Sequence, residues 1–354
     1  MKKLLLLLFS LCFIGVSSAA EVDTNIMKLQ GMSACVDCNL KEANLSGAKL
    51  DKADLSGADL SGADLSGAVL TRAKLPNANL SGANLSGADL TRAKLPNANL
   101  SGTNLSGADL SNAILSEANL NRADLSGANL NKITLTRVDL TEADLTKADL
   151  TKAKLLYSDL SRADLSNANL TEADLSNAKL TEADLSNANL TEAKLSKADL
   201  SNANLTEANL TRVDLSKVNL SAADLSGAYL QQVVLNGLDL SNANLTGVNL
   251  KNAKLQSANL SELNLSKVNL SAADLSGANL SGANLSGADL TIAKLPNANL
   301  SGADLSGADL TRANLNGANL SGADLSGADL NGVKLSGATL CNTKMPWGID
   351  NSGC

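Results

Sequence analysis

The chain has 354 residues, a formal net charge of −7, no histidine, and only one Trp, two Tyr and two Phe. Without histidine, a Ser-His-Asp triad and an imidazole-based metal site are both excluded. The scarcity of aromatic side chains also makes nucleic acid a poor candidate partner, because single strands are bound largely by base stacking. We therefore expect no catalytic centre and no cofactor, and classify the protein as a non-enzyme.

The N-terminus has the features of a secretory signal peptide. A short basic stretch, Met1–Lys3, precedes an apolar run from Leu4 to Val16, and Ser18, Ala19 and Ala20 form a small-residue cleavage site. We predict that residues 1–20 are removed and that the protein is exported to the periplasm or the extracellular space. The alternative is an uncleaved anchor, but the run is short of the roughly 20 residues that span a bilayer. After cleavage we expect no membrane span.

The body of the chain is a strict repeat of five residues. From Leu40 to Leu340 every fifth residue is leucine, 61 in succession. A period of five fits neither an α-helix nor a flat strand, so the chain must bend once per repeat. Alanine usually stands two residues before each leucine, Asp or Asn one before, and Ser or Thr one after. We predict that Leu and Ala point inward and that the residues after Leu form a turn.

A spacing of twenty residues indicates four such sides per coil. The segment TRAKLPNANL at 71–80 recurs at 91–100 and, as TIAKLPNANL, at 291–300. The same spacing brings opposite charges together in two columns, namely Arg122, Glu142, Arg162, Glu182 and Lys154, Asp174, Lys194, Asp214. However, SKVNLSAADLSGA recurs after fifty residues, at 216 and 266, which is not a whole number of coils. Part of the twenty-residue pattern could therefore result from gene duplication rather than from the stacking of coils.

Over residues 38–345 the pattern Ala-(Asp/Asn)-Leu-(Ser/Thr)-x resembles the pentapeptide-repeat family. The resemblance implies an all-β fold, a right-handed quadrilateral β-helix, here with about 15 coils of 20 residues over 39–340 and a length of about 70 Å. Some family members protect DNA gyrase by resembling duplex DNA, but they carry Phe at many central positions and have loops that interrupt the coil. This chain has neither feature, so we do not transfer that function.

Four cysteines remain after the predicted cleavage, which removes Cys12. They are Cys35, Cys38, Cys341 and Cys354. An even number in an exported chain predicts disulfides, and the distance between the ends of the solenoid excludes bonds from one end to the other. Cys35–Cys38 and Cys341–Cys354 are the remaining pairs. Half of a zinc site or a redox motif is the rival interpretation of Cys35 and Cys38, but no second Cys-x-x-Cys exists.

Segments without the repeat flank the solenoid. Residues 21–38 are expected to cap its N-terminal end, and residues 341–354 to form a disulfide-closed cap over its last leucine layer. The C-terminal segment contains Trp347, the only tryptophan. Trp347 could instead mark a docking or homodimer surface, because a cap and a self-association surface occupy the same place.

Charges are sorted between opposite sides of the predicted coil. The basic wall, whose five-residue sides end at Leu55, Leu75 and every twentieth residue to Leu335, has 15 Lys/Arg and 7 Asp/Glu. The acidic wall, whose sides end at Leu45, Leu65 and so on to Leu325, has 3 and 12. The candidate binding residues on the basic wall are Arg72, Lys74, Arg92, Lys94, Lys152, Lys154, Lys194, Lys254, Lys294, Arg312 and Lys334.

These features leave two hypotheses for function. The first is an exported structural or protein-interaction rod, with an unknown protein or a second copy as the partner. The second is a binding module for an anionic envelope polymer along the basic wall. Charge pairing and solubility alone could also explain the sorting. Leu156 and Tyr157, an adjacent apolar pair on the outside of the coil, are a further candidate contact site, and stacked aspartates could hold Ca²⁺ or be merely solvated.

Overall fold

The computed structural model describes residues 18–354. The predicted signal peptide therefore lies outside the described residues except for its last three, and its cleavage stays a prediction. The first element is a helix, α1, Ser18–Met32, and the last two are short strands, β1 Thr343–Met345 and β2 Gly348–Asp350. Between α1 and β1 every coil contributes single parallel bridges. No helix in the described part of the chain is long and apolar enough to cross a membrane.

Parallel bridges join residues twenty apart, from Ala34 with Asp54 to Asp324 with Lys344. Most leucine N–H groups donate to the next coil, as Leu75 does to the Lys94 carbonyl at 2.7 Å, and most of the residues before leucine donate to the previous coil. This ladder confirms the coil of twenty residues and the right-handed quadrilateral β-helix. Leucine and alanine fill the interior, and most are 0–2 % exposed. Stacking rather than any single coil therefore stabilises the fold.

Each corner is a four-residue turn that begins at leucine. The N–H of the residue three positions later donates to the leucine carbonyl, as Ala73 does to Leu70 at 2.9 Å. In all of these turns but those of Lys217 and Asn242, the third residue alone has a positive φ, for example 58° at Arg72 and 63° at Gly87. A positive φ at this position alone is characteristic of a type II turn.

The Asp or Asn before each leucine also has a structural role. Its Oδ1 accepts the backbone N–H of the Ser or Thr two residues later, as in Asp109 with Ser111 at 2.8 Å. Such side-chain contacts hold the start of the turn in the way Asx turns do. Where a hydroxyl residue replaces the inner alanine, the buried hydroxyl also has a hydrogen-bond partner. Thr103 Oγ1, for example, donates to the Leu80 carbonyl at 2.9 Å. The repeat therefore encodes its own corners.

The N-terminal end is covered by α1. Leu29 is 1 % exposed, and Val22 and Ile26 pack against the first coil. Asn25 Nδ2 donates to the Asn39 carbonyl at 2.9 Å, which fixes the helix to the solenoid. Ser33, with a φ of 51°, ends the helix and donates its N–H to the Leu29 carbonyl. A disulfide joins Cys35 to Cys38 below the helix.

The C-terminal end is covered only in part. Strands β1 and β2 form an antiparallel hairpin in which Thr343 lies opposite Asp350 and Met345 opposite Gly348. Thr343 and Met345 are buried, and a disulfide joins Cys341 to Cys354. In contrast, Leu330, Val333 and Leu335 of the last coil remain partly exposed.

The ladder is interrupted on several sides between residues 193 and 268. The N–H groups of Leu195, Leu220 and Leu245 do not donate to the next coil, in contrast to the preceding leucines of the solenoid. In the same region larger side chains replace the inner alanine, namely Val213, Val218, Val233, Leu238, Val248, Leu263 and Val268. Larger inner residues do not interrupt the ladder everywhere, however, because the Leu215 N–H still donates to the Val234 carbonyl at 2.8 Å where Val213 and Val233 stack.

Candidate functional site

The basic wall keeps most of its cations free. All eleven candidate binding residues are exposed. Only Lys74 and Lys152 among them form ion pairs within the described residues, with Asp54 at 3.4 Å and with Glu172 at 3.4 Å. The Ser56 hydroxyl, and to a smaller extent Lys74, lower the pKa of Asp54 from its ordinary value. The structure therefore leaves most of this wall's positive charge available to a partner.

Positive charge is densest on the sides that end at Leu75 to Leu155. This stretch carries no Asp or Glu, and its cations are Arg72, Lys74, Arg92, Lys94, Lys132, Lys152 and Lys154. Lys74 and Lys94 are direct bridge partners in adjacent coils. Like charges opposite one another destabilise a sheet, so this stacking is not explained by stability of the fold.

The two predicted charge columns behave differently. In the first, Glu142 Oε2 accepts from Arg122 Nε at 2.7 Å and Glu142 Oε1 lies 3.6 Å from Arg162. The hydrogen bond and charge of Arg122 lower the pKa of Glu142. In the second, Lys154 and Lys194 are bridge partners of Asp174 and Asp214, but no ion pair joins them within the described residues. The carboxylates of Asp174 and Asp214 accept hydrogen bonds from the Ser176 and Ser216 hydroxyls instead.

Aspartates stack on the acidic wall without forming a metal site. Asp124, Asp144, Asp164 and Asp184 are successive bridge partners. In residues 18–354, however, no group of three or more Cys, Asp or Glu side chains is arranged to hold a metal ion. The structure thus gives no support to a calcium site.

The apolar pair at Leu156 and Tyr157 is only partly available. Tyr157 is 55 % exposed, but the Arg137 guanidinium lies over its ring at 5.6 Å from the centroid, and Leu156 is half-buried. The C-terminal end exposes more apolar surface, because Trp347 is 69 % and Ile349 60 % exposed. Ile349 was not among the predicted site residues, since its exposure depends on the hairpin, which the repeat pattern does not describe.

The last coil also presents an unpaired strand edge. The N–H groups of Leu330, Gly332, Leu335 and Gly337 point where a further coil would lie, and none donates a hydrogen bond within the described chain. Together with the partly exposed Leu330, Val333 and Leu335, these donors form an open end beside the hairpin. An open edge of this kind can pair with another chain.

A family model described as pentapeptide repeats matches the chain in segments between residues 38 and 345. Among solved structures, HetL from the cyanobacterium Nostoc sp., a pentapeptide repeat protein involved in heterocyst differentiation regulation, is 35 % identical. The alignment covers 72 % of this chain and 91 % of HetL, with a TM-score of 0.18. The comparison with curated proteins found no match.

Two further solved structures are similar. Rfr23, a pentapeptide repeat protein from the cyanobacterium Cyanothece, is 32 % identical over 32 % of this chain and 85 % of its own, with a TM-score of 0.21. Trypsin-treated QnrB1, a plasmid-mediated fluoroquinolone resistance protein, is 24 % identical over 52 % and 87 %, with a TM-score of 0.33. These low TM-scores carry no argument about function.

Proposed function

Because this chain belongs to the pentapeptide-repeat family, we propose that it is an exported, non-enzymatic rod that acts by binding other macromolecules. Members of the family are generally structural or interaction proteins. The partner we propose first is a second copy of this chain, joined at the C-terminal end. The signal-peptide features of residues 1–20 support export to the periplasm or extracellular space.

The contrast between the two ends carries this proposal. At the N-terminal end α1 buries Leu29 against the first coil, so another solenoid cannot stack there. At the C-terminal end, Trp347, Ile349, the partly exposed leucines and the free N–H groups remain uncovered. Head-to-tail stacking is thus blocked, whereas a tail-to-tail pair would be closed by two-fold symmetry and would cover both open edges.

Sedimentation equilibrium of the oxidised protein tests this pairing. We expect a dimer that persists at about 500 mM salt, because an apolar interface is not screened. Trp347→Ser with Ile349→Ser should convert it to a monomer, whereas Tyr229→Ser, which removes an exposed aromatic side chain from a wall, should not. A monomeric wild-type protein would contradict the pairing.

A second candidate function is binding of an anionic envelope polymer along the basic wall. The specific observation in its favour is the stretch between Leu75 and Leu155, with seven cations, no carboxylate and the stacked pair Lys74–Lys94. Neighbouring coils repeat at about 4.8 Å, so these cations form a row that an extended polyanion can follow.

Binding of a long-chain polyphosphate at several salt concentrations tests the second candidate. Lys74→Gln with Lys94→Gln should weaken binding at least tenfold and reduce its salt dependence. The matched control, Lys147→Gln with Lys267→Gln, makes the same change of charge on a different wall. Equal loss in both double variants would show a net-charge effect rather than a site on the basic wall.

A further inference from the structure

A groove of about 360 Å³ opens on the basic wall, between the coil of Leu195 and the coil of Leu215. Its lining includes Glu192, Lys194, Leu195, Asp214, Ser216 and Lys217. It lies within the region where the ladder is interrupted. Neither the end-to-end pairing nor the polyanion row proposed above requires this groove.

The backbone N–H groups of Leu195, Ser196 and Lys197, at and next to the groove, form no well-aligned hydrogen bond within the described chain. Leu195 and Lys197 would donate to the carbonyls of Asp214 and Ser216 in an intact ladder; Lys194 and Asp214 remain bridge partners, but neither donation has the geometry of a regular hydrogen bond. The Ser196 N–H would normally be capped by Asp or Asn at position 194, where this chain has lysine. Successive free N–H groups of this kind are a feature of anion-binding backbone segments.

The side chains of the groove leave an excess of positive charge. Glu192 is neutralised by Arg212 at 2.8 Å, and the Asp214 carboxylate accepts both the N–H and the hydroxyl of Ser216. The ammonium groups of Lys194 and Lys217 form no ion pair or hydrogen bond within residues 18–354. The groove is therefore lined by two lysines without ion pairs, and its carboxylates already have partners.

We propose that this groove binds a small oxyanion, either a phosphate or a carboxylate group. The anion would accept hydrogen bonds from the backbone at Leu195–Lys197 and from the ammonium groups of Lys194 and Lys217. Ammonium–oxyanion hydrogen bonds of this type are the stronger ones in proteins. Two conditions coincide at this site: Lys194 leaves the turn uncapped, and the Leu195 and Lys197 donations to the coil of Val213 are not regular hydrogen bonds.

Two variants separate these conditions. Lys194→Asn installs the residue type that most other sides carry at this position, so the fold should be retained while one ammonium group is lost and the Ser196 N–H is capped. Val213→Ala keeps every charge but restores the usual inner residue, so the coils should close over the groove. Lys154→Asn is the matched control, since Lys154 occupies the same position two coils earlier and does not line the groove.

Titration of the full chain with inorganic phosphate and, separately, with acetate tests the proposal, with binding followed by calorimetry and by the amide NMR signals of Leu195, Ser196 and Lys197. We expect one or both anions to bind and to shift these three signals. Lys194→Asn and Val213→Ala should each weaken binding at least tenfold, and Lys154→Asn should leave it unchanged. Absence of binding by the wild-type protein, or an equal loss in Lys154→Asn, would overturn the proposal.

Discussion

At the third position of nearly every turn the backbone takes a positive φ, and this chain places Arg, Lys, Glu or Asn there more often than glycine. L-residues in this conformation cost roughly 1–2 kcal/mol, and β-branched residues are the least suited. The chain accepts that cost because these positions carry the outward charges of the walls. Ile292, with a φ of 59° and 53 % exposure, bears the cost without contributing a charge.

We predict that Ile292→Asn raises the local free energy of opening by about 1 kcal/mol, because Asn tolerates the left-handed region. Hydrogen exchange at the amide of residue 292, which donates to the Thr311 carbonyl at 2.9 Å, measures the change. Arg312→Asn, one coil later in the same column, should give a smaller gain because arginine is unbranched at Cβ. A gain no larger at residue 292 than at residue 312 would contradict the strain at isoleucine.

The aspartates that cap the turns make stability depend on pH. The hydroxyl and the N–H of Ser326, followed by Lys344 at 3.0 Å, lower the pKa of Asp324 from 3.8 to about 2. Hydrogen bonds from Ser241 and Thr311 likewise lower the pKa values of Asp239 and Asp309. Because the folded pKa lies below the unfolded one, this stabilisation is present above pH 3.8 and is lost as pH falls toward 2.

We therefore predict that the midpoint of thermal unfolding is lower at pH 2.5 than at pH 5. Circular dichroism in buffers of equal ionic strength measures it. Asp324→Asn keeps an acceptor for Ser326 but no longer titrates, so its stability should fall less between the two pH values. A midpoint independent of pH would show that the capping aspartates do not stabilise the fold.

At the scale of the coil, the hydrogen-bond ladder between neighbours is not uniform along the solenoid. Where alanine is kept, as around Leu75, the N–H of leucine donates to the next coil at 2.7 Å. Where Val218 and Leu238 stack on one side, the donations of Leu220 and Ala222 are lost. The solenoid is therefore uniform in sequence pattern but not in local stability.

We predict that the amides of Leu195, Lys197, Leu220 and Leu245 exchange with solvent at least tenfold faster than those of Leu75, Leu165 and Leu285. Exchange monitored by NMR or mass spectrometry distinguishes the two groups. The protected leucines serve as the internal control, since they have the same side chain and the same position in the repeat. Uniform protection along the rod would mean that the larger inner residues do not separate the coils.

The sequence predicted the coil well because one position, leucine, and one spacing, twenty residues, determine it. The disulfide pairs Cys35–Cys38 and Cys341–Cys354 that it predicted are present in the structure. It did not predict the helix α1 or the hairpin of β1 and β2, because neither segment carries the repeat. It also missed the groove near Leu195, because a polar–apolar pattern that continues unchanged through this region does not register an interruption of the hydrogen-bond ladder.

At the scale of the whole molecule, the rod is asymmetric in both its walls and its ends. The basic and acidic walls are separated by sides of weaker charge, so charge can orient a partner along the rod. One end is sealed by α1 and the other is left open beside the hairpin. The arrangement supports a rod that pairs at its open end and leaves its charged walls free for other ligands.

Small-angle X-ray scattering of the oxidised protein at about 500 mM salt tests the tail-to-tail pairing most directly, because high salt screens association through the charged walls. We predict a particle about twice the roughly 70 Å length of one solenoid, with an unchanged cross-section. A particle of single length, or one of single length with a doubled cross-section, would contradict pairing through the C-terminal end.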